Sequence, residues 1–361
     1  MKETLLFYIN AINGGGAERV IIQLAHHFSL VGYKTILVTS FVDRNFEYEV
    51  PGNVIRISIE QDEIHRSRIS RNYHRIIELR KIIKQYNPSA VISFMAEPNF
   101  RALIATSGLK TKNIVSVRND PNREYSGKLG YLVGKLLLQK ADGCVFQTED
   151  ARQWFPTSLQ KKSKIIMNDV KEEFFLVERQ NVNDIVVVGR LNEQKNHRLV
   201  IDAFSKIANR YPHIKLSIYG EGDLREELST RIQLLGMESQ ILLKGAVDDV
   251  ASVLKYAKLF VLSSDYEGMP NCLMEALAAG VPCISTDCPC GGPKMLIKNG
   301  YNGLLVPIND EDAMSDAMEQ LLSDTTFAEK LGANAKQKAN DYRPEIVFNQ
   351  WKGYIESIIN N

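Results

Sequence analysis

The sequence predicts an α/β fold in which two parallel-sheet domains follow one another along the chain. Three observations predict it. Short apolar runs of strand length alternate with stretches of helical period over the whole chain, the pattern of parallel sheets covered by helices. The alternation lapses once, in a polar and irregular segment over 168–184, and then restarts. The length of 361 residues suits two domains of ordinary size, each burying its own core.

In the first half, strands are expected at 5–9, 35–38, 90–93, 113–117, 143–146 and 164–166, with helices over 17–30 and 73–85 between them. Residues 169–183 read as the linker. The second half restarts with strands at 185–188, 215–219, 240–243, 259–262 and 283–285, separated by helices at 197–209, 224–235 and 248–256. The domains are therefore expected at 1–168 and 184–343. Residues 344–361 form an amphipathic helix with Ile346, Phe348, Trp351, Tyr354 and Ile358 near one face.

Hydrophobic content of 44% and charged content of 24% are those of a soluble globular enzyme. The net charge of +1 hides an asymmetry. Residues 1–168 carry 24 Lys/Arg against 15 Asp/Glu, a net +9, whereas the remainder carries −8. Only the first half is expected to meet an anionic partner. The apolar run at 5–9 is too short for a signal peptide and ends at Asn10, and no apolar run is long enough to span a bilayer. A cytoplasmic protein with reduced cysteines is the expectation. Cys288-Pro289-Cys290 is followed by no second Cys or His pair, so no zinc site is expected.

The most informative text is Asp265-Tyr266-Glu267-Gly268-Met269-Pro270-Asn271-Cys272-Leu273-Met274-Glu275. It follows the apolar run at 259–262, so the order is strand, small-residue loop, helix start. Free backbone N–H groups and the positive end of a helix dipole at that point suit an anion, most often a phosphate. Glu267 and Glu275 would repel a phosphate, but they can accept hydrogen bonds from neutral hydroxyls beside it. Phosphate plus hydroxyls means a sugar nucleotide. Upstream, Gly189-Arg190-Leu191-Asn192-Glu193-Gln194-Lys195-Asn196 sets two cations at the carboxyl end of the sheet, where α/β ligands bind. Arg190 and Lys195 there would neutralise a diphosphate and stabilise it as a leaving group. Asn13-Gly14-Gly15-Gly16-Ala17-Glu18-Arg19 turns the first strand into the first helix and allows close backbone approach to a ligand. It also reads as a plain tight turn.

In combination, these motifs resemble the retaining glycosyltransferases of family 4 (group 1), whose signatures include an E-x7-E pair, a Gly-Arg-Leu-x-x-x-Lys-Asn loop and a Gly-Gly-x-Glu-Arg loop. The resemblance covers essentially the whole chain and implies the GT-B architecture, two Rossmann-like domains facing across a cleft, with the 344–361 helix crossing back onto the first. It implies a donor site of Gly15, Gly16, Gly189, Arg190, Lys195, Gly220, Val247, Glu267, Gly268, Met269, Pro270, Asn271, Leu273 and Glu275. Within it, Glu275 would take the ribose, Glu267 a donor-sugar hydroxyl, and backbone groups near Val247 a uracil edge. No metal or other cofactor is expected.

Thr286-Asp287-Cys288-Pro289-Cys290-Gly291-Gly292-Pro293 resembles a loop of members that act on bacterial surface polysaccharides and lipid-linked oligosaccharides, with Gly292 as an additional residue. Where the family often places a His, this chain has Arg118-Asn119-Asp120. Arg118 and Asn119 are the candidates there, with Glu97 and Asn99 weaker ones for the acceptor.

The implied activity is transfer of a hexose or N-acetylhexosamine from a UDP-sugar to a glycan acceptor, most simply a lipid-linked one. A sugar-nucleotide epimerase and a non-catalytic sugar-nucleotide-binding protein are the alternatives. A basic stripe of Arg66, Arg68, Arg71, Arg75, Arg80, Lys81 and Lys84, interleaved with Ile and Tyr, reads either as a solvated helix face or as an element meeting an anionic membrane surface on its inner, cytoplasmic side. Nucleic acid is not expected, since no base-stacking aromatic pattern accompanies the arginines.

Overall fold

The computed structural model describes residues 3–13, 15–43, 47–60, 67–180 and 183–360. They form two compact units, residues 1–168 with 345–361, and residues 169–344. Gly14, Arg66 and Asn361 lie outside the described residues.

The first unit holds strands β1 (Thr4–Ile9), β2 (Lys34–Phe41), β3 (Ile55–Glu60), β4 (Ala90–Phe94), β5 (Lys112–Val117), β6 (Gly143–Phe146) and β7 (Ser163–Ile165). All pairings are parallel, in the order β3-β2-β1-β4-β5-β6-β7. The winding direction therefore reverses between β1 and β4. Side chains alternate across the sheet. Leu5, Phe7 and Ile9 pack with Phe28 of the helix Gly16–Leu30 and with Trp351 and Ile355 of the helix Pro344–Ile359. Leu6 and Tyr8 pack with Leu79 and Ile83 of Arg68–Tyr86 and with Ala102 of Ala96–Thr106. Strand β3 escaped the apolar-run criterion because Ile-Arg-Ile-Ser-Ile-Glu is a half-buried edge strand of mixed polarity.

The terminal helix is integral to this unit. The Trp351 ring stacks on Phe94 at 5.7 Å, and the Tyr354 hydroxyl accepts from the Cys144 N–H at 2.8 Å. Trp351 is 1% exposed, so Trp351→Ala should cost about 3–5 kcal/mol in chemical denaturation followed by circular dichroism.

The second unit carries β8 (Asp184–Val188), β9 (Lys215–Tyr219), β10 (Ile241–Gly245), β11 (Ala257–Leu262), β12 (Cys283–Thr286) and β13 (Leu304–Val306). Their order is β10-β9-β8-β11-β12-β13, again all parallel, with the reversal between β8 and β11. Residues 169–180 differ from the linker expected of them. They belong to the second unit because Val170, Phe174 and Phe175 are buried and Arg179 donates to the carbonyls of Gly280, Ala257 and Lys258. Two adjacent phenylalanines, not a periodic pattern, anchor the segment.

Candidate active site

In an open parallel sheet the loops diverge where the winding reverses, and ligands enter there. In the second unit that point lies between β8 and β11. The two loops are stitched together by polar contacts that no sequence period reveals. Asn192 caps a short turn by accepting from the Lys195 N–H at 3.3 Å. Asn196, at φ 42°, accepts from the Leu199 N–H at 3.2 Å and donates to Asp265 at 2.8 Å. The Asp265 N–H donates to the Gln194 carbonyl at 2.9 Å, Gln194 to the Tyr266 carbonyl at 3.0 Å, and the Ser263 hydroxyl to the Lys195 carbonyl at 2.9 Å.

This stitching delivers Lys195 to Glu267, Nζ to Oε1 at 2.5 Å, and the Ser264 hydroxyl donates to the same oxygen at 2.7 Å. Burial works against the Lys195 ammonium, but the Glu267 carboxylate outweighs it and holds the pKa above the ordinary lysine value. Arg190 is exposed beside this pair and opposes it. A part-buried cation–carboxylate pair with a second, solvent-facing cation beside it suits a ligand combining anionic and hydroxyl groups.

Close backbone approach fixes the neighbouring loop. A Cβ on Gly220 would stand 1.8 Å from the Gly189 carbonyl oxygen, so only glycine fits at the end of β9. Val247 is half-buried and lines a cavity of about 320 Å³ with Asp184, Tyr219 and Tyr256. Asp249 caps the helix Val250–Lys255 by accepting from the Ser252 N–H at 3.0 Å.

His197 is a further buried group that the sequence motifs passed over. Its Nε2–H faces the Arg190 carbonyl at 3.1 Å, and burial depresses its pKa to about 4. A folded-state pKa below the unfolded value of about 6.5 gives stability that is complete above that value and lost as pH falls towards 4. His197→Gln should therefore flatten the acid limb of the unfolding free energy between about pH 6.5 and 4, by about 2–3 kcal/mol over the interval. Denaturant titrations at several pH values check this.

The second glutamate sits on the helix Asn271–Ala278, entered through Pro270. Glu275 is 5% exposed. Pro270 has no N–H, so the donors of the first turn are Asn271, Cys272 and Leu273. Leu273 is fully buried, so its side chain is core and only its main chain stands at the helix start. The Glu267 N–H is held by the Pro289 carbonyl at 2.8 Å, which ties the glutamate loop to the Cys-Pro loop. Gly268, Met269 and Pro270 are buried within this turn. Burial pushes the Cys272 thiol up to about 11 despite the opposing Lys195 charge, so the thiol is not a nucleophile at neutral pH.

The first unit places its candidates at the ends of β1, β4 and β5. Gly15 precedes the helix Gly16–Leu30, and a Cβ there would meet a Glu18 carboxylate oxygen at 2.1 Å. Arg118 is buried, lies 4.6 Å from the Phe94 ring centroid and donates to the Asn168 side chain. Asn119 accepts from the Asp120 N–H at 2.9 Å, and Asp120 caps the next turn through the Asn122 N–H at 2.9 Å. Glu97 pairs with Arg101 at 2.7 Å. Asn99 is fully buried, accepting from Ser93 at 2.8 Å and donating to the Ser116 carbonyl at 2.9 Å, which makes it a clamp between strands.

Among the described members of the basic stripe, Arg75 is buried against Glu60 at 2.5 Å, Arg80 donates to the Ala105 and Ser107 carbonyls at 2.7 and 2.8 Å, and Lys81 pairs with Glu78 at 2.8 Å. These three cations are tied within the unit. Ile76, Leu79 and Ile83 turn one side of the helix inward and take Arg75 with it, whereas Lys81 and Lys84 are exposed. No helix among the described residues is long and apolar enough to cross a membrane.

The profile for glycosyl transferases group 1 matches residues 169–338, and that for glycosyltransferase family 4 matches residues 14–168. The chain belongs to this glycosyltransferase family. It is 28% identical to the GalNAc-alpha-(1->4)-GalNAc-alpha-(1->3)-diNAcBac-PP-undecaprenol alpha-1,4-N-acetyl-D-galactosaminyltransferase of Campylobacter jejuni, over 98% of each chain. It is 33% identical to the UDP-Gal:alpha-D-GlcNAc-diphosphoundecaprenol alpha-1,3-galactosyltransferase of Escherichia coli, over 43% of this chain and 40% of that one. The structure of Anabaena Alr3699/HepE with UDP and glucose superposes with a TM-score of 0.83 at 15% identity, covering 99% of this chain and 100% of that one. That likeness shows the GT-B fold.

Proposed function

We propose that this glycosyltransferase moves a hexose or N-acetylhexosamine from a UDP-sugar to a hydroxyl of a lipid-linked glycan, with retention of anomeric configuration. The observation that carries the reading is the Lys195–Glu267 pair held at the reversal point, 2.5 Å apart, beside exposed Arg190 and a helix start. The Campylobacter and Escherichia relatives support the acceptor class by their names, and the second supports a UDP-linked donor.

In this reading the acceptor oxygen bonds to the anomeric carbon on the face from which the diphosphate leaves. The acceptor proton passes to the departing phosphate oxygen, so no dedicated base is needed. Arg190, Lys195 and the first-turn N–H groups stabilise the charge that develops on the leaving group, which leaves no step requiring a metal. Glu275 holds the ribose hydroxyls and Glu267 a donor-sugar hydroxyl.

The test is UDP release from a panel of UDP- and GDP-sugars, with and without an undecaprenyl-diphosphate-linked glycan extract, in the presence and absence of EDTA. One UDP-sugar should respond, acceptor should raise the rate, and EDTA should leave it unchanged. Glu275→Ala should raise the donor KM by roughly 10–100-fold, the loss of charge-assisted hydrogen bonds. The anomeric proton coupling in the product decides retention. Conversion of the sugar nucleotide without acceptor would replace the transferase reading by an epimerase.

A further inference from the structure

We propose that an open cavity of about 520 Å³ in the first unit, beside the helix Gly127–Leu137, is a sugar subsite that holds pyranose units of the acceptor glycan other than the reacting one. Such a subsite rests on the glycan acceptor proposed above and gives its non-reacting sugars a place. The cavity is lined by Asn122, Tyr125, Ser126, Tyr131, Leu132 and Trp154. These residues follow the carboxyl ends of β5 and β6, the end of the sheet that also carries Arg118 and Asn119. Asn122 is tied to that turn, donating to the Asp120 side chain at 3.2 Å.

The aromatic wall is preorganised. Gly130 and Gly134, about one helical turn apart, let the helix press against Tyr125. A Cβ at Gly134 would stand 2.7 Å from the Tyr125 ring, and one at Gly130 would stand 3.0 Å from the Tyr125 carbonyl oxygen. Tyr125 is buried and stacks on Trp154 at 5.7 Å, with Phe155 edge-on to it at 5.6 Å. Tyr131 meets Trp154 edge-on at 5.2 Å. The indole Nε1–H donates to the Asn122 side chain at 2.8 Å, which fixes the rotation of the ring.

Polar groups surround this wall. Ser126 precedes the helix without capping it through its side chain, which leaves its hydroxyl to the cavity. The Lys135 ammonium lies 4.3 Å from the Tyr131 ring centroid and 4.8 Å from that of Trp154. One of its three donors goes to the Tyr131 hydroxyl at 2.7 Å. A pyranose has the complementary chemistry, with C–H groups on its faces for the rings and hydroxyls around its edge for Asn122, Ser126 and Lys135. An isoprenoid chain would match the rings and Leu132, but it would strip water from those three polar groups without replacing their hydrogen bonds.

The chain supplies its own probe, because its two tryptophans are Trp154, on this cavity, and Trp351, buried in the core. Emission of the full-length protein is titrated, without donor, with methyl α-N-acetylgalactosaminide, with its α-1,4-linked disaccharide, and separately with undecaprenyl phosphate in detergent. Both sugars should change the emission saturably, the disaccharide at lower concentration, and the isoprenoid should not. Tyr131 is 49% exposed, so Tyr131→Ala spares the core, and it should weaken sugar binding by about tenfold while Tyr131→Phe retains it. In turnover, Tyr131→Ala should raise KM by about tenfold for acceptors of two or more sugars, with kcat unchanged, and by less than about twofold for a one-sugar acceptor.

UDP binding by calorimetry, run on the same samples, tests the donor reading separately, and the emission titration reads the cavity even if no donor turns over. Sugars that leave the emission unchanged, or a response that survives Tyr131→Ala, would overturn the proposal. So would a KM shift of equal size for short and long acceptors. A response to undecaprenyl phosphate with none to the sugars would assign the cavity to the isoprenoid chain instead.

Discussion

Replacing Lys195 by alanine is expected to lower kcat by roughly 10²–10³-fold, the loss associated with one preorganised group that stabilises leaving-group charge. Lys195 is the part-buried cation at the reversal point of the second sheet, its ammonium held by Glu267 and its backbone at Asn192 and Ser263. The same substitution has a second consequence. It leaves the Glu267 carboxylate buried with Ser264 but without its counter-charge, which should cost about 3 kcal/mol of stability.

The two effects separate in a double variant. Lys195→Met with Glu267→Gln replaces the part-buried charge pair by groups of similar volume, so stability should return close to wild type. The rate should remain low, because the cation is still missing. Single-turnover UDP release and denaturant unfolding measure the two quantities on the same samples. A Lys195→Ala rate within tenfold of wild type would remove Lys195 from the leaving-group role, whatever the stability result.

The strands plainest in the sequence are those buried on both faces, although the edge strands β7 and β10 are also read, at 164–166 and 240–243. The runs of Leu5-Leu6-Phe7-Tyr8-Ile9 and Leu259-Phe260-Val261-Leu262 announce β1 and β11 because nothing polar can sit on either side. Strand β3 and the three-residue β13 lie at sheet edges, where the pattern fades. The site was legible at its ends and not in its wiring. Lys195 and Glu267 were each recognisable by motif, but their pairing across 72 residues depends on Asn196, Asp265 and Ser264, loop residues with no period and no distinctive neighbour. The basic stripe was read as one face, yet helical geometry splits it. Arg75 falls among the core positions of its helix and requires Glu60 inside the unit, a partner supplied by an edge strand that the sequence did not reveal.

Gly292 stood out in the sequence as an additional residue, and the structure gives it a specific task. A Cβ at this position would stand 1.9 Å from the Gly268 carbonyl oxygen, and 3.1 Å from Pro270. The obstacle is backbone, so it cannot swing aside as a side chain would, and the two loops must part. The loop that moves carries Glu267 on one side of Gly268 and the entry to the Glu275 helix on the other. Gly292→Ala should therefore cost about 3 kcal/mol, the overpacking range, and lower kcat by about 10²-fold, the penalty for misplacing reacting groups by about 1 Å. Gly353→Ala provides the opposite case within the same chain. That glycine lies in the helix Pro344–Ile359 with nothing within 4 Å of an added Cβ, so alanine there should stabilise by up to about 1 kcal/mol through helix propensity and leave the rate unchanged. Thermal unfolding and steady-state UDP release on the pair distinguish a positional requirement for glycine from a general sensitivity to alanine. If Gly292→Ala behaves like Gly353→Ala, the contact with Gly268 does not hold the glutamate loop, and the Glu267 N–H bond to Pro289 together with the bonds to Gln194 and Asn196 does so.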